Sequence, residues 1–581
     1  MTKVAILGGG VGGMSAAHEL AERGFEVEVY EKMPHYVGGK ARSILVPNSG
    51  TGGRKDLPGE HGFRFFPGFY KHITHTMKRI PFPGNKKGVF DNLVASQRVM
   101  MARMGKPPVV NIVNFPKTKK DLKVLLNAMT HADTGLTKEN VDMFAHKLWQ
   151  LMTSSNIRRQ EVYERITWWQ YTEADLQCPD KGVLCPYREY FVGGLTHTLV
   201  AAQPRLMSTK TGGDILLQLL FLMLNPRAHA DRVLNAPTND AWLWPWYRYL
   251  TKDLKVKYHH GMQVTDFECD PKSRKITGVK VKDITQEGSK PFEIKADYYI
   301  SAIPVEHVAP LVNNDMIAVD NTLSYLKPLA KCTNWMNGIQ FFLNEDVKLV
   351  KGHVIFLDSP WALTCISQVQ FWPHFKINKH GNGEVKGILS VDISDWHKEG
   401  LNGKKAEDCN YKEIVEEVWA QMKRGLKVDG KDILRDDMMV SHTFLDPDII
   451  IEKHAGNIKD EDAEKLLVNE ANTWGLRPEA YCGIENLFFA SDFVRTNTDL
   501  ATMEGANEAA RRAVNCIISA TGAKVPKCKV WKLHEPWVLS ILRWIDKRRY
   551  KKGMPWKDEL PFVFKLLHEL MHLAHRLFKF K

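Results

Sequence analysis

The glycine cluster Gly8-Gly9-Gly10-Val11-Gly12-Gly13 constrains this chain more than any other stretch, because of what flanks it. Before it, Lys3 to Leu7 reads as a short buried parallel strand. After it, Met14 to Arg23 puts Ala16, Ala17, Leu20 and Ala21 at helical spacing and stops at Gly24. Phe25 to Tyr30 alternates as a second strand and ends on Glu31. Strand, glycine turn, helix, strand and acid, in that order, make a dinucleotide-binding βαβ unit. Gly8 permits the tight turn, Gly10 brings backbone close to a pyrophosphate, and Gly13 lets helix and strand pack closely. Val11 and Gly12 stand in the glycine turn ahead of the helix, whose N-terminus offers free N–H groups and a partial positive charge to phosphate, and Glu31 accepts from a ribose.

An acid in that place favours an unphosphorylated adenosine ribose, so FAD or NAD ranks above NADP. The next segment runs from Lys32 to Gly38-Gly39-Lys40-Ala41-Arg42, a glycine doublet trailed by cations. Such a doublet suits either a second contact with a bound pyrophosphate or a β-turn with a solvated basic flank.

Composition excludes several classes. The 581 residues are 44% hydrophobic and 25% charged, which rules out disorder and collagen-like repeats. The longest apolar run, Ile215 to Leu224, is too short to span a bilayer and reads as buried or dipping toward lipid. Met1 to Leu7 carries no secretory signal, so a cytoplasmic start is expected. Nine scattered cysteines, with Cys178 and Cys185 nearest each other, lack a zinc or redox spacing and read as free thiols. No metal site is expected.

Three further segments make the chain resemble a known family. The doublet Gly38-Gly39 resembles the GG motif of the flavin superfamily of amine oxidases, protoporphyrinogen oxidase and carotenoid desaturases. Gly59-Glu60-His61-Gly62-Phe63-Arg64-Phe65-Phe66-Pro67-Gly68-Phe69-Tyr70 is similar to the segment that passes the flavin ring in plant and cyanobacterial type phytoene and zeta-carotene desaturases. Asn486 to Phe493 with Leu500-Ala-Thr-Met503-Glu504-Gly505-Ala506 resembles the closing FAD motif of that superfamily. The resemblance implies FAD as cofactor, with Asp492 at the ribityl or pyrophosphate region, Thr502, Met503 and Ala506 at the flavin, and the Val264 backbone at the adenine. It also implies that Gly62, Phe63 and Arg64 lie near the ring. Independently of the family, Leu487 to Ala490 reads as a strand and Met503 to Ile518 as a helix, and Val279 to Val281 and Ala296 to Ile303 as strands. The chain departs from the family pattern at His61, Arg64 and Pro67, where desaturases usually carry a small polar residue, a histidine and a glycine.

The expected fold is α/β: a discontinuous Rossmann-like FAD-binding domain (1–95, 250–312, 480–525) interleaved with an α+β substrate domain (96–249, 313–479). Trp149, Trp168, Trp169, Tyr190, Phe191, Trp242, Trp244, Trp246, Tyr247, Tyr249, Trp335, Phe341, Phe342, Phe371 and Trp372 supply either a tunnel lining or ordinary core. The formal charge is +13, and Arg543 to Lys581 holds eleven basic residues against four acids, a net +7. Phe562 to Phe580 has an apolar face opposite Lys565, Arg576 and Lys579, so residues 526–581 read as an amphipathic tail for an anionic membrane surface. His568, His572 and His575 read as interfacial polar groups rather than metal ligands, and nucleic acid is not an expected partner.

These features predict a peripheral membrane FAD enzyme that dehydrogenates an apolar isoprenoid or polyene, phytoene desaturase-like, by hydride transfer to flavin N5. Arg64, His61 and Glu60 are the candidate catalytic groups, and quinone and oxygen are both open as electron acceptor. The alternatives are a flavin amine oxidase and a non-redox FAD-dependent isomerase of an unsaturated lipid.

Overall fold

The structure, a computed structural model, describes residues 2–96, 98–111, 135–178, 185–194, 203–223, 231–428, 430–447 and 465–558. Twelve strands build the two sheets that frame the site. In chain order they begin with β1 (Lys3–Leu7), β2 (Glu26–Glu31), β3 (Arg98–Arg103), β4 (Lys106–Asn111), β5 (Lys257–His260) and β6 (Tyr298–Ser301). There follow β7 (Asn337–Leu343), β8 (Gly352–Phe356), β9 (Thr364–Ser367), β10 (Gly387–Ile393), β11 (Met439–Leu445) and β12 (Leu487–Phe489).

The first sheet has the order β5-β2-β1-β6-β12 and is parallel throughout, with Val4 beside both Val27 and Tyr298. Covered on both faces, its central strand is an unbroken apolar run: Val4, Ala5, Ile6 and Leu7 are all buried. Helix α1 (Val11–Ala21) starts three residues before the predicted Met14, because Gly10 is extended and already caps it. The stretch 275–283 is a strand as expected, but it joins a separate antiparallel sheet with 262–270 and 292–294.

A second helix, α2 (Thr209–Met223), carries the long apolar run. It is buried in the protein through Ile215, Leu216, Leu217 and Phe221, and Gln218 exchanges hydrogen bonds with the His534 backbone. Helix α3 (Met503–Thr521) runs past the predicted end at Ile518 and stops at Gly522, whose left-handed φ of 64° suits glycine. It packs on α1, with Asn507 donating to Ser15 at 2.7 Å and Arg511 paired with Glu19 at 2.9 Å.

The second sheet has the order β11-β7-β10-β9-β8-β3-β4, antiparallel apart from the β8–β3 pair. One face packs Ile339, Phe341, Val391 and Ile393 against Ile414, Val418 and Met422 of the helix Tyr411–Gly425. The opposite face looks toward the first sheet and helps to line the site.

One open alternative resolves here, and one expectation is corrected. The aromatic residues form core: Trp242 stacks on Trp246 at 5.8 Å, Phe144 stacks on Phe191, and Phe341 packs on Trp419. Dense interdigitation, rather than a tunnel, absorbs their area. Cys178 and Cys185 are joined as a disulfide and the other seven cysteines are free, so the reading of nine free thiols fails at this pair.

Helix α4 (Ser540–Lys551) is tied down by one buried acid: Asp546 accepts from the Ser155 backbone and hydroxyl at 2.8 Å and from Arg158 Nε at 2.9 Å. The amphipathic stretch Phe562–Phe580 and the three histidines within it lie outside the described residues. Among the described residues no helix is long and apolar enough to cross a membrane, and no cluster of three or more metal-ligating side chains occurs.

Candidate active site

The sharp turn out of β1 creates the first wall of the site. Gly8 sits at φ 102°, and a Cβ on Gly13 would lie 1.9 Å from the Gly8 carbonyl oxygen. That contact explains why Gly13 is glycine and why it stands behind the site rather than in it. Gly10, Val11 and Gly12 face a cavity of about 560 Å³. The Gly38-Gly39 turn folds back onto this loop, with Gly38 N–H donating to the Gly9 carbonyl at 3.1 Å. Glu31 closes the end of β2, accepting from the N–H groups of Gly9 at 2.5 Å and Met33 at 2.8 Å.

Val264 lines the cavity beside Glu31 and Lys32, and Lys40 lines it further along, where its ammonium meets Glu306 at 2.6 Å and the Lys465 carbonyl. The closing segment supplies Asp492, Thr502, Met503 and Ala506. Burial raises the Asp492 carboxyl above the usual carboxylate range, with Lys40 pulling in the opposite direction. Thr502 caps α3 through Gly505 N–H at 3.2 Å. The sequence-predicted cofactor residues thus converge on one cavity, Gly13 and Arg42 excepted. Arg42 is buried and directs its guanidinium to the Gly39 carbonyl at 3.0 Å, so it holds the doublet in shape instead of reaching a phosphate.

The donor set fits a dinucleotide flavin. Two glycine turns abut without side chains between them: a Cβ on Gly39 would be 3.1 Å from Gly10 Cα. The N-terminus of α1 has neither a side-chain cap nor an acid in its first turn, so its N–H groups are left for an anion. A carboxylate stands at the ribose position, and a second helix N-terminus enters the far part of the cavity at Met503.

The segment 59–70 separates these groups from the second sheet. Gly62 has φ 102°, and a Cβ on Gly338 of β7 would come within 2.4 Å of Gly62 Cα, so the segment lies directly on the sheet. Arg64 donates to the Lys40 carbonyl at 2.8 Å and the Ala41 carbonyl at 3.0 Å, locking this segment to the glycine doublet. His61 lines the cavity and pairs through Nδ1 with Asp446, which also accepts from Asn337 at 3.1 Å. Glu60 does not line the cavity. Its carboxylate accepts from Thr238 N–H at 2.8 Å and hydroxyl at 2.7 Å, and burial lifts its pKa to about 7. A catalytic role for Glu60 is therefore corrected to a structural one: Thr238 holds it inside the protein.

Beyond the ring-side segment, Phe63, Phe65, Met207, Ile215, Met336 and Leu467 give the cavity an apolar wall. Asn337, His353, Thr364, Asp392 and Asp446 also line it, and none was foreseen. Their trace in the sequence is faint: Asp392 is the one charged residue in the strand Gly387–Ile393.

Comparisons with known proteins agree with this geometry. Residues 6–80 match the model of the NAD(P)-binding Rossmann-like domain, and residues 245–518 match that of the flavin containing amine oxidoreductases. A zeta-carotene desaturase of Zea mays is 37% identical over 86 residues, which is 14% of this chain and 13% of that enzyme. The corresponding enzyme of Capsicum annuum is 37% identical over 81 residues, 13% of this chain and 12% of that protein. The chain therefore aligns with only a small fraction of these relatives. Among solved structures, an oxidoreductase from Methanosarcina mazei superposes with a TM-score of 0.53 at 13% identity, covering 89% of this chain and 100% of that one. Cyclohexylamine oxidase from Brevibacterium oxydans gives 0.56 at 12% identity over 90% of this chain and 99% of that one. The two matched stretches hold the two halves of the nucleotide cradle, Gly8 to Arg64 and Val264 with Asp492 to Ala506, and place the chain with the FAD-dependent superfamily of amine oxidases and carotenoid desaturases.

Proposed function

We propose that this chain is an FAD-dependent oxidoreductase that dehydrogenates an apolar substrate of isoprenoid or polyene type, in the manner of phytoene desaturases. The observation that carries the reading is a single cavity with a dinucleotide cradle at one end and an apolar wall of Phe63, Phe65, Met207, Ile215 and Leu467 at the other. The short similarity to zeta-carotene desaturases supports the polyene class. On this reading residues 1–95, 250–312 and 480–525 serve the cofactor, and 96–249 with 313–479 serve the substrate.

Bound FAD supplies the acceptor for two electrons and a proton, taken as hydride at N5. The chain's part is to bind, align and keep the site dry. The glycine turns and α1 hold the pyrophosphate, Glu31 holds the ribose, and Arg64 fixes the ring-side segment by pinning the carbonyls of Lys40 and Ala41. Phe63 and Phe65 exclude water from the reacting face. His61, clamped on Nδ1 by Asp446, keeps Nε2 for a proton lost by the substrate.

The test is to purify the protein, record its visible spectrum, and titrate it anaerobically with phytoene-like polyenes and with amines. Flavin absorbance bleached by a polyene is the expected result. A colourless protein defeats the reading, and bleaching by an amine alone transfers it to the amine oxidases. Product isomers formed without net electron transfer would make it an isomerase.

For delivery of such a substrate, we propose an anionic membrane surface as partner. Trp537, Val538, Ile541 and Trp544 are exposed, Trp537 at 82%, and 537, 541 and 544 share a helical face. Lys547, Arg548, Lys551 and Lys552 follow directly and are exposed. Aromatic and basic groups side by side suit a headgroup interface.

A further inference from the structure

The wall of the cavity opposite the cofactor cradle is more polar than a hydrocarbon needs. Five neighbouring strands each contribute one polar residue to it: Asp446 directly after β11, Asn337 of β7, Asp392 of β10, Thr364 of β9 and His353 of β8. Asp392 and Thr364 are direct cross-strand partners. His61 reaches the same wall from the ring-side segment.

Among the described residues, three atoms of this group have no hydrogen-bond partner: His61 Nε2, His353 Nε2 and Asp392 Oδ1. His61 is 7% exposed and His353 8%. Most buried polar atoms in folded proteins are paired, so three unpaired ones on a single cavity wall point to a ligand that pairs them. A hydrocarbon filling the space would leave all three unpaired.

Resting on the polyene reading above, we infer that the substrate is an apolar molecule bearing a neutral oxygen function, a hydroxyl or carbonyl, which docks on His61, His353 and Asp392. The protonation states agree. Burial raises Asp392 to about 7, against the pull of Arg64, so near neutral pH a large share of it is a donor. Burial alone lowers His353 to about 4, which leaves its ring neutral. Asp446 engages His61 Nδ1, which leaves Nε2 as the ring atom for a ligand. The wall thus offers a donor and acceptors together, the complement of a hydroxyl group. Arg64 is the cation facing Glu60, Asp392 and Asp446.

The experiment compares three ligands of one carbon skeleton on the FAD-loaded protein: geranylgeraniol, the hydrocarbon with hydrogen in place of its hydroxyl, and the corresponding primary amine. Binding is read from the perturbed flavin absorbance. The alcohol is expected to bind at least tenfold more tightly than the hydrocarbon. His353→Phe and Asp392→Leu should each erase most of that difference, and Asp392→Asn should retain it in part. Hydrocarbon binding equal to or tighter than the alcohol overturns the inference while leaving the polyene reading in place. Tightest binding by the amine overturns it in favour of an ammonium ligand. No spectral response to any of the three overturns the polyene reading and this inference together.

Discussion

Glu60 lies one residue from the candidate proton acceptor and does different work. Its carboxyl is buried against Thr238, and its pKa stands at about 7, above the ordinary 4.5, because burial outweighs the nearby Arg64 charge. A carboxyl raised on folding takes up a proton as the chain folds. Its contribution is complete below about pH 4 and is lost as pH climbs through about 7, by about 3 kcal/mol from this group. Glu60→Gln should therefore flatten the fall in stability between pH 4 and 7, read from urea midpoints across that range. Gly13 fails for a different reason: a methyl group there meets the Gly8 carbonyl at 1.9 Å. Gly13→Ala should yield protein that folds poorly and carries no flavin absorbance, while Gly24→Ala, where no atom lies within 4 Å, costs only the strain of its left-handed φ of 81°.

Elements here are joined end to side by single carboxylates. Glu504, in the first turn of α3, accepts from the N–H groups of Lys71, His72 and Ile73 at 2.7 to 2.9 Å, so it caps the helix His72–Met77 from another helix altogether. Glu504→Ala should cost about 2 to 4 kcal/mol in denaturant titration, since three buried donors lose their acceptor. Asp546 ties α4 to Arg158 in the same way, which leaves Trp537, Ile541 and Trp544 facing outward. Replacing Trp537 and Trp544 together by Ala should remove most sedimentation with anionic vesicles and leave the flavin spectrum intact; unchanged sedimentation rules out this face as the contact. The helices and strands around the glycine turn were legible in the sequence because local rules govern them: a period of 2 or 3.6, a glycine where a Cβ collides, an acid after a strand. The polar row from Asp446 to His353 was not. It arises from five strands that are distant in the chain and aligned only by register, and no spacing rule reports register. The aromatic residues were ambiguous for a related reason, because a tryptophan in core and one in a tunnel wall have the same neighbours in sequence.

At the scale of the whole molecule, the cofactor sheet takes its strands from three remote stretches: 3–31, 257–301 and 487–489. Ending the chain after residue 480 should abolish flavin retention completely, even though Gly8 to Gly13, Glu31 and Val264 are all present, because β12 and α3 are missing. A flavin-containing truncation would refute that dependence. The contact that closes the sheet is intimate: a Cβ on Gly12 would sit 1.9 Å from the carbonyl oxygen of Ala490. Helix α1 therefore waits for β12, which is made far later. At about 5 to 20 residues per second, synthesis of the intervening 478 residues (12 to 490) takes roughly 25 to 100 seconds. Throughout that interval the glycine turn is exposed and unable to hold a nucleotide. Cofactor capture is for this protein a late event, and the nascent chain depends on avoiding aggregation until it occurs.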